Sequence, residues 1–383
     1  MEHLQNENAN CPLPPLRFRN GAFRIMVVGD LHEQYDLSDE LDRLKTADSM
    51  RLLWTAAETL RPDLIVYAGD QGKDDDEEKM RAIIRRITAP AKEYDIPYAV
   101  VFGNHDPECA IPKARQLELY REEYGNFYTF DGAPGVTGCG NCLVPVKDGA
   151  GERDILNLWF VDSLNLCEDR EVSYYDWLRE DQIAWYKDTA KRIKDARGGL
   201  PPALWFMHIP VREEYRLLKK ARLWEYPYSV KAFGKRRGRY VPRDPSIGYL
   251  GEDPACAEVN SGIFDAWKEV GDVRGAFFGH DHMNEFAGEV DGILLAQCKT
   301  AGFHNYTDGC NAGVRLITVD EARPEKIETH MVHFKELGLK SGSLGPIQRN
   351  FTDRQVINIR IASVAAGAIA VAAGAAALVW RRK

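Results

Sequence analysis

Val100-Val101-Phe102-Gly103-Asn104-His105-Asp106 is the stretch on which the reading of this chain turns. An apolar run stops at a glycine, and three polar side chains able to hold a ligand follow at once. A buried strand that delivers chemistry at its C-terminal end has this form, and α/β folds keep their sites there. Asn, His and Asp are also ordinary turn formers, so the stretch gains meaning only if other strands end alike. Four others do. Phe23–Val28 runs into Gly29-Asp30-Leu31-His32, and Leu64–Ala68 into Gly69-Asp70. Ala203–Met207 runs into His208-Ile209-Pro210, and Ala276–Phe278 into Gly279-His280-Asp281-His282.

Helical patterns alternate with these strands. Ser38 is placed to cap a helix whose Leu41, Leu44, Leu52, Leu53, Ala56, Ala57 and Leu60 recur at helical spacing until Pro62. The acidic run Asp74–Glu78 suits the positive end of a second helix and lacks the alternation and central glycine of a calcium loop. Further helices are expected over Ala114–Tyr124 and around Asp181–Lys194, with a buried strand at Leu156–Val161. Repeated βα units of this kind specify an α/β fold. Three later β-like segments (Gly292–Gln297, Val314–Val319, Ile327–Val332) close the domain near Phe334.

A net charge of −8 and a pI near 5.7 argue against a general nucleic-acid binder. The eight cysteines are scattered, and the first thirty residues hold no apolar stretch of the kind a secretory signal needs. Reduced thiols in a cytosolic compartment are expected. Cys139-Gly140-Asn141-Cys142 has redox or zinc spacing, but no second pair or nearby His completes it, so it reads as a turn. His304 reads as a loop residue. Lys231–Arg239 is a basic patch in an acidic protein. It suits a solvated loop, or one that draws anionic substrate or acidic lipid heads toward a site.

The five strand ends offer Asp30, His32, Asp70, Asn104, His105, His208, His280 and His282. Carboxylate, imidazole and one amide oxygen, without thiolate, suit Zn²⁺, Mn²⁺ or Fe ions. Two divalent ions roughly 3.5–4 Å apart need a shared anionic ligand, and Asp70, isolated from other ligands along the chain, suits that role.

In this order the fragments resemble the calcineurin-like metallophosphoesterase superfamily, over Phe23 to about Phe334. The resemblance implies a four-layer αββα sandwich with a dinuclear site at one edge of the paired sheets. It implies Asp30, His32, Asp70 and His282 around a first metal, and Asp70, Asn104, His208 and His280 around a second. His105 would face the substrate phosphate. More narrowly, Leu158–Ser163, Met207–Pro210 and Asn260–Phe264 are similar to a branch with purple-acid-phosphatase-related plant proteins and fungal dose-dependent cell-cycle regulator phosphatases. True purple acid phosphatases carry a tyrosine ligand three residues after the bridging Asp. Lys73 stands there, and His32 fills the role, so no iron–tyrosinate centre is expected.

These readings give an expected function: hydrolysis of phosphate monoesters by a metal-bridging hydroxide, with His105 assisting the leaving group. Asp106 either orients His105 or caps the turn. A phosphodiesterase or nucleotide hydrolase is the alternative, and a catalytically silent scaffold is the reading from another class. The expected layout is a lead-in over 1–22, a catalytic domain over 23–335, a linker over 336–355, a transmembrane tail anchor over 356–380 and a basic tail over 381–383. Ile361–Trp380 is free of charge and bracketed by Arg360 and Arg381-Arg382-Lys383. About 20 helical residues span the hydrocarbon core, so a single-pass tail with the enzyme on the cytosolic side is expected.

Overall fold

The computed structural model describes residues 13–381, without the side chains of 368–381. β1 (Leu16–Arg17) and β2 (Ala22–Val28) lead into α1 (Glu40–Leu60), β3 (Leu64–Tyr67), α2 (Glu77–Glu93), β4 (Tyr98–Val100) and α3 (Lys113–Glu123). β5 (Cys142–Lys147), β6 (Asp154–Phe160), α4 (Glu180–Arg197) and β7 (Ala203–Met207) follow. A less regular stretch then holds β8 (Leu218–Lys220), β9 (Val230–Lys231) and β10 (Arg239–Pro242). α5 (Ile263–Val270), β11 (Val273–Phe278), β12 (Ala287–Val290), β13 (Ile293–Gln297), β14 (Gly313–Asp320) and β15 (Arg323–His333) complete the domain. α6 (Pro346–Asn350) and α7 (Asp353–Arg381) end the chain.

Two mixed sheets form the middle layers. One has the strand order β15-β14-β2-β3-β4, the other β1-β5-β6-β7-β11-β13-β12. β3 is buried at every position, as a strand covered on both faces must be. Phe23, Ile25, Val27, Leu64 and Val66 of the first sheet meet Leu156, Leu158, Phe160, Leu204 and Phe206 of the second in one apolar layer. The outer face of the first sheet is covered by α1, α2 and α3, that of the second by α4 and α5. α2 shows why it packs there: Met80, Ile83, Ile84 and Ile87 fall on one stripe and all are buried. Helices, two sheets, helices: the expected α/β architecture is present. β14 runs antiparallel to β2, so residues 313–320 lie beside residues 22–28, the first long strand of the chain.

Several local expectations shift. Asp39, not Ser38, caps α1, its carboxylate accepting from Leu41 N at 2.7 Å. Ser38 N is already committed to Asp36 at 2.9 Å. Leu41 and Leu44 are exposed, and the first buried apolar residue of α1 is Leu52, about three turns after Leu41. The lead-in pairs in part with the domain, Leu16 beside Val146 in a parallel ladder. The segment read as a linker carries contacts of its own. The Asp48 carboxylate on α1 accepts from the Ser341 and Ser343 hydroxyls and from the amides of Gly342 and Ser343. Leu337, Leu339 and Leu344 pack against the first sheet's helical layer.

The expected membrane span falls largely outside the described residues, because the side chains of 368–381 are not among them. The backbone of 353–381 is one helix. Among the described residues no helix is long and apolar enough to cross a membrane, so the span has no structural support.

Candidate metal centre

Each strand-end residue singled out above lies beyond the C-terminal edge of a strand. β2 delivers Asp30 and His32, β3 delivers Asp70, and β4 delivers Asn104 and His105. β7 delivers His208, and β11 delivers His280 and His282. The two sheets thus supply the site jointly. Ligand atoms of Asp30, His32 and His282 lie within 4.8 Å of one another, and so do those of Asp70, His208 and His280.

The backbone is bent to achieve this. Asp30 (φ 34°), His32 (φ 47°), Asp70 (φ 53°) and His280 (φ 76°) all occupy the left-handed region, which costs free energy in any residue with a Cβ. Close approach explains two of the glycines. A Cβ on Gly69 would stand 2.4 Å from His208 Nδ1, and one on Gly103 would stand 2.2 Å from Asp70 Oδ1.

Hydrogen bonds outside the centre aim the rings inward. His208 Nδ1 donates to Ala68 O at 2.7 Å, which turns Nε2 to 3.1 Å from Asn104 Oδ1 and 3.1 Å from Asp70 Oδ2. His282 Nδ1 donates to Tyr306 O at 3.2 Å, and its Nε2 lies 3.2 Å from His32 Nε2 and 3.7 Å from Asp30 Oδ1. Holding one ring nitrogen so that the other presents its lone pair is how proteins orient metal-binding imidazoles.

Charge in the centre is out of balance without a cation. Burial holds His32 down to about 4 and His282 down to about 3, and pushes His280 well below its ordinary range. Neutral rings of this kind present a lone pair, and His282 Nε2, with Nδ1 engaged by Tyr306 O, faces His32 Nε2 at 3.2 Å. His280 Nε2 is buried with no hydrogen-bond partner, and Asp70 Oδ2 has only the His208 ring beside it. Burial alone would lower His208, but Asp70 and Asp30 outweigh it and raise the ring to about 10. Burial likewise acts to raise Asp70, and His208 overrides it, holding that carboxyl well below the usual range. Asp30 is raised by burial. Unpaired nitrogens and carboxylates converging on two points fit a pair of divalent cations, each bound by carboxylate and imidazole.

His105 stands apart from the ligand cluster. Its side chain is 42% exposed and its ring lies edge-on to His32 at 5.5 Å. Its backbone amide donates to Asp70 Oδ1 at 2.8 Å, tying the two loops together. Glu108 holds its Nδ1 at 2.8 Å, and Lys73 bonds the same carboxylate oxygen. Asp106 caps the turn: its Oδ2 accepts from Gly103 N at 2.6 Å and Asp70 N at 3.0 Å. Asp106 therefore fixes backbone, and Glu108 is the carboxylate on the His105 ring.

Sequence reasoning missed Glu108, although a carboxylate three residues after His105 was a usable signal. It also missed two aromatic walls. Tyr306 stacks on His282 (4.4 Å, 18°) while its hydroxyl donates to Glu252 at 2.6 Å. Tyr175 meets His280 edge-on at 4.4 Å and stacks on Phe233 at 5.3 Å. His304 lies outside the centre, bonded to Thr46 Oγ1 at 2.8 Å. Cys139 and Cys142 are free thiols with no partner metal cluster among the described residues.

The family model for calcineurin-like phosphoesterases matches residues 23–284. The chain is 30% identical over 323 residues to probable inactive purple acid phosphatase 28 of Arabidopsis thaliana, covering 77% of this chain and 74% of that protein. It is 27% identical over 336 residues to probable inactive purple acid phosphatase 29 of the same plant, covering 81% and 80%. With phosphatase DCR2 of Saccharomyces cerevisiae it shares 24% identity over 280 residues, covering 70% of this chain and 45% of that one.

Proposed function

Because the chain belongs to the calcineurin-like phosphoesterase family, we propose that it is a metal-dependent phosphatase that hydrolyses phosphate monoesters. One observation carries the reading: two sets of largely buried ligand atoms converge, with His280 Nε2 left unpaired for a cation. Asp30, His32 and His282 would hold one ion, and Asn104, His208 and His280 the other. Asp70, grouped with His208 and His280, would be shared by both. When bound, such ions supply Lewis-acid activation of the phosphoryl group and of the attacking water, and Mn²⁺, Zn²⁺ or Fe²⁺ suits these ligands.

The chain's own groups do the rest. Asn104 holds its amide oxygen toward the centre and leaves its NH₂ to donate to a phosphoryl oxygen. His105 reaches the mouth of the centre with Nδ1 fixed by Glu108, so its Nε2 is free to pass a proton to the departing oxygen. Tyr306 and Tyr175 shield the flanks of His282 and His280 from water. Rates on an aryl phosphate and a bis-aryl phosphate, measured with Mn²⁺, Zn²⁺ and Fe²⁺, test the reading. A faster diester reaction would replace it with a phosphodiesterase.

The names of the two Arabidopsis relatives favour a second reading, a silent scaffold. Lys73 and His32 bear on that choice: a centre without the tyrosine of purple acid phosphatases still has its ligands here. Two bound metals without turnover on any phosphoester would favour the scaffold. Ile361–Trp380, flanked by Arg360 and Arg381-Arg382-Lys383, supports a membrane tether from sequence alone, and a domain on the cytosolic side is part of the proposal. Protease protection in intact cells tests the placement.

A further inference from the structure

The small antiparallel sheet β8-β10-β9 stands outside the two main sheets, and a 3₁₀ turn over Leu223–Tyr228 joins β8 to β9. That turn buries none of its side chains. Leu223 is 79% exposed, Trp224 70% and Tyr226 48%. Adjacent leucine and tryptophan this open are uncommon on a surface that meets only water.

Charge around the turn is equally one-sided. Residues 218–243 hold nine Lys or Arg against one acidic residue, Glu225, in a chain of net charge −8. Among the described residues only Lys219 of the nine forms an ion pair, with Glu225 at 3.1 Å. Lys220, Arg222, Lys231 and Arg237 have no carboxylate partner there. Arg222 lies 5.4 Å from the Trp224 ring, so cation and aromatic are presented together.

The turn also abuts the start of the C-terminal helix. Tyr228 donates to Asn358 Oδ1 at 2.9 Å, and the Arg354 guanidinium lies 4.8 Å from the Tyr228 ring. Ile359 and Val364 on that helix are exposed as well.

We propose that this face is a docking surface for an anionic lipid bilayer. Leu223, Trp224 and Tyr226 enter the interfacial layer, where indole and phenol rings partition, and the unpaired cations meet acidic headgroups. Unpaired positive charge rimming an apolar tip is the arrangement such a surface attracts. The rest of this acidic protein is repelled by the same headgroups, which orients it. The face also shares a segment with the metal centre, since Phe233 stacks on Tyr175, which touches His280.

The full chain, reconstituted in vesicles of phosphatidylcholine alone or with phosphatidylserine, tests this by amide hydrogen exchange over 218–243. The expected result is slowed exchange only with phosphatidylserine, reversed by high salt. Leu223→Ser with Trp224→Ser should abolish it, and Lys220→Glu with Arg222→Glu should weaken docking by at least about fivefold per charge. Both variants should leave hydrolysis of a small aryl phosphate unchanged. Equal exchange in the two vesicle types, the outcome of tail insertion alone, would overturn the proposal. So would equal protection by soluble polyglutamate, which would mark the face as one for an acidic protein.

Discussion

His105 and Asp70 are one hydrogen bond apart, yet replacing each should have a different consequence. His105→Ala is expected to keep both metals and lose about 10²–10⁴-fold in turnover, the usual share of a general acid. Asp70→Ala should lose metal as well as activity, since it removes the carboxylate grouped with His208 and His280. Metal content by elemental analysis, read beside turnover, separates the two. The candidate ligand side chains were placed together as expected because each directly follows an apolar run that stops, and a strand's end is a fixed place in an α/β fold. The two aromatic walls were not legible in the sequence. Tyr175 and Tyr306 reach His280 and His282 from irregular loops, and nothing in a loop's spacing shows which ring it will meet.

Among the elements, Glu214 sits in a 3₁₀ turn between β7 and β8, buried, with Gln297 Nε2 donating to its Oε2 at 2.8 Å. Burial raises its carboxyl to about 8 from the ordinary 4.5. The folded protein keeps this proton where the unfolded chain has lost it, so this contribution to stability declines as pH rises from 4.5 to 8. Glu214→Gln is uncharged throughout and should gain thermal stability over wild type at pH 8 while matching it near pH 4.5. Calorimetry at the two pH values reads the difference.

The Asp48 clamp makes the second element-scale prediction. Asp48→Ala leaves the Ser341–Ser343 donors without their acceptor, a loss of about 1–3 kcal/mol. Limited proteolysis should then cut within 336–352 faster, with the main domain intact. Strand positions and the helical stripe of α2 were readable from their periods, 2 and 3.6. The clamp was not, because Asp48 and Ser343 are joined by tertiary packing across most of the sequence.

At the scale of the whole molecule, each ligand set draws on both sheets. Asp30 and His32 come from the first and His282 from the second, while Asp70 comes from the first and His208 and His280 from the second. An ion held by either set would therefore join the halves of the sandwich. Saturating Mn²⁺ or Zn²⁺ should raise the unfolding temperature, by linkage about 4 kcal/mol at a thousandfold excess over Kd. A chelator should reverse it, and Asp70→Ala should show little of either effect. The four-layer plan was legible through the order of the strand-end motifs. The place of β1 and the small outer sheet was not, since two- to four-residue strands leave too short a pattern to read.

The pairing of β14 with β2 governs the order in which a growing chain can fold. β2 precedes most of the domain in the chain, and its neighbour on one side is residues 313–320, near the domain's end. Until they arrive, β2 keeps an open hydrogen-bonding edge and its apolar face waits for strands not yet made. His282 emerges late as well, so neither the sandwich nor its metal sites can be finished on a nascent chain that ends before it. Any metal binding by both ligand sets would therefore follow synthesis of most of the domain.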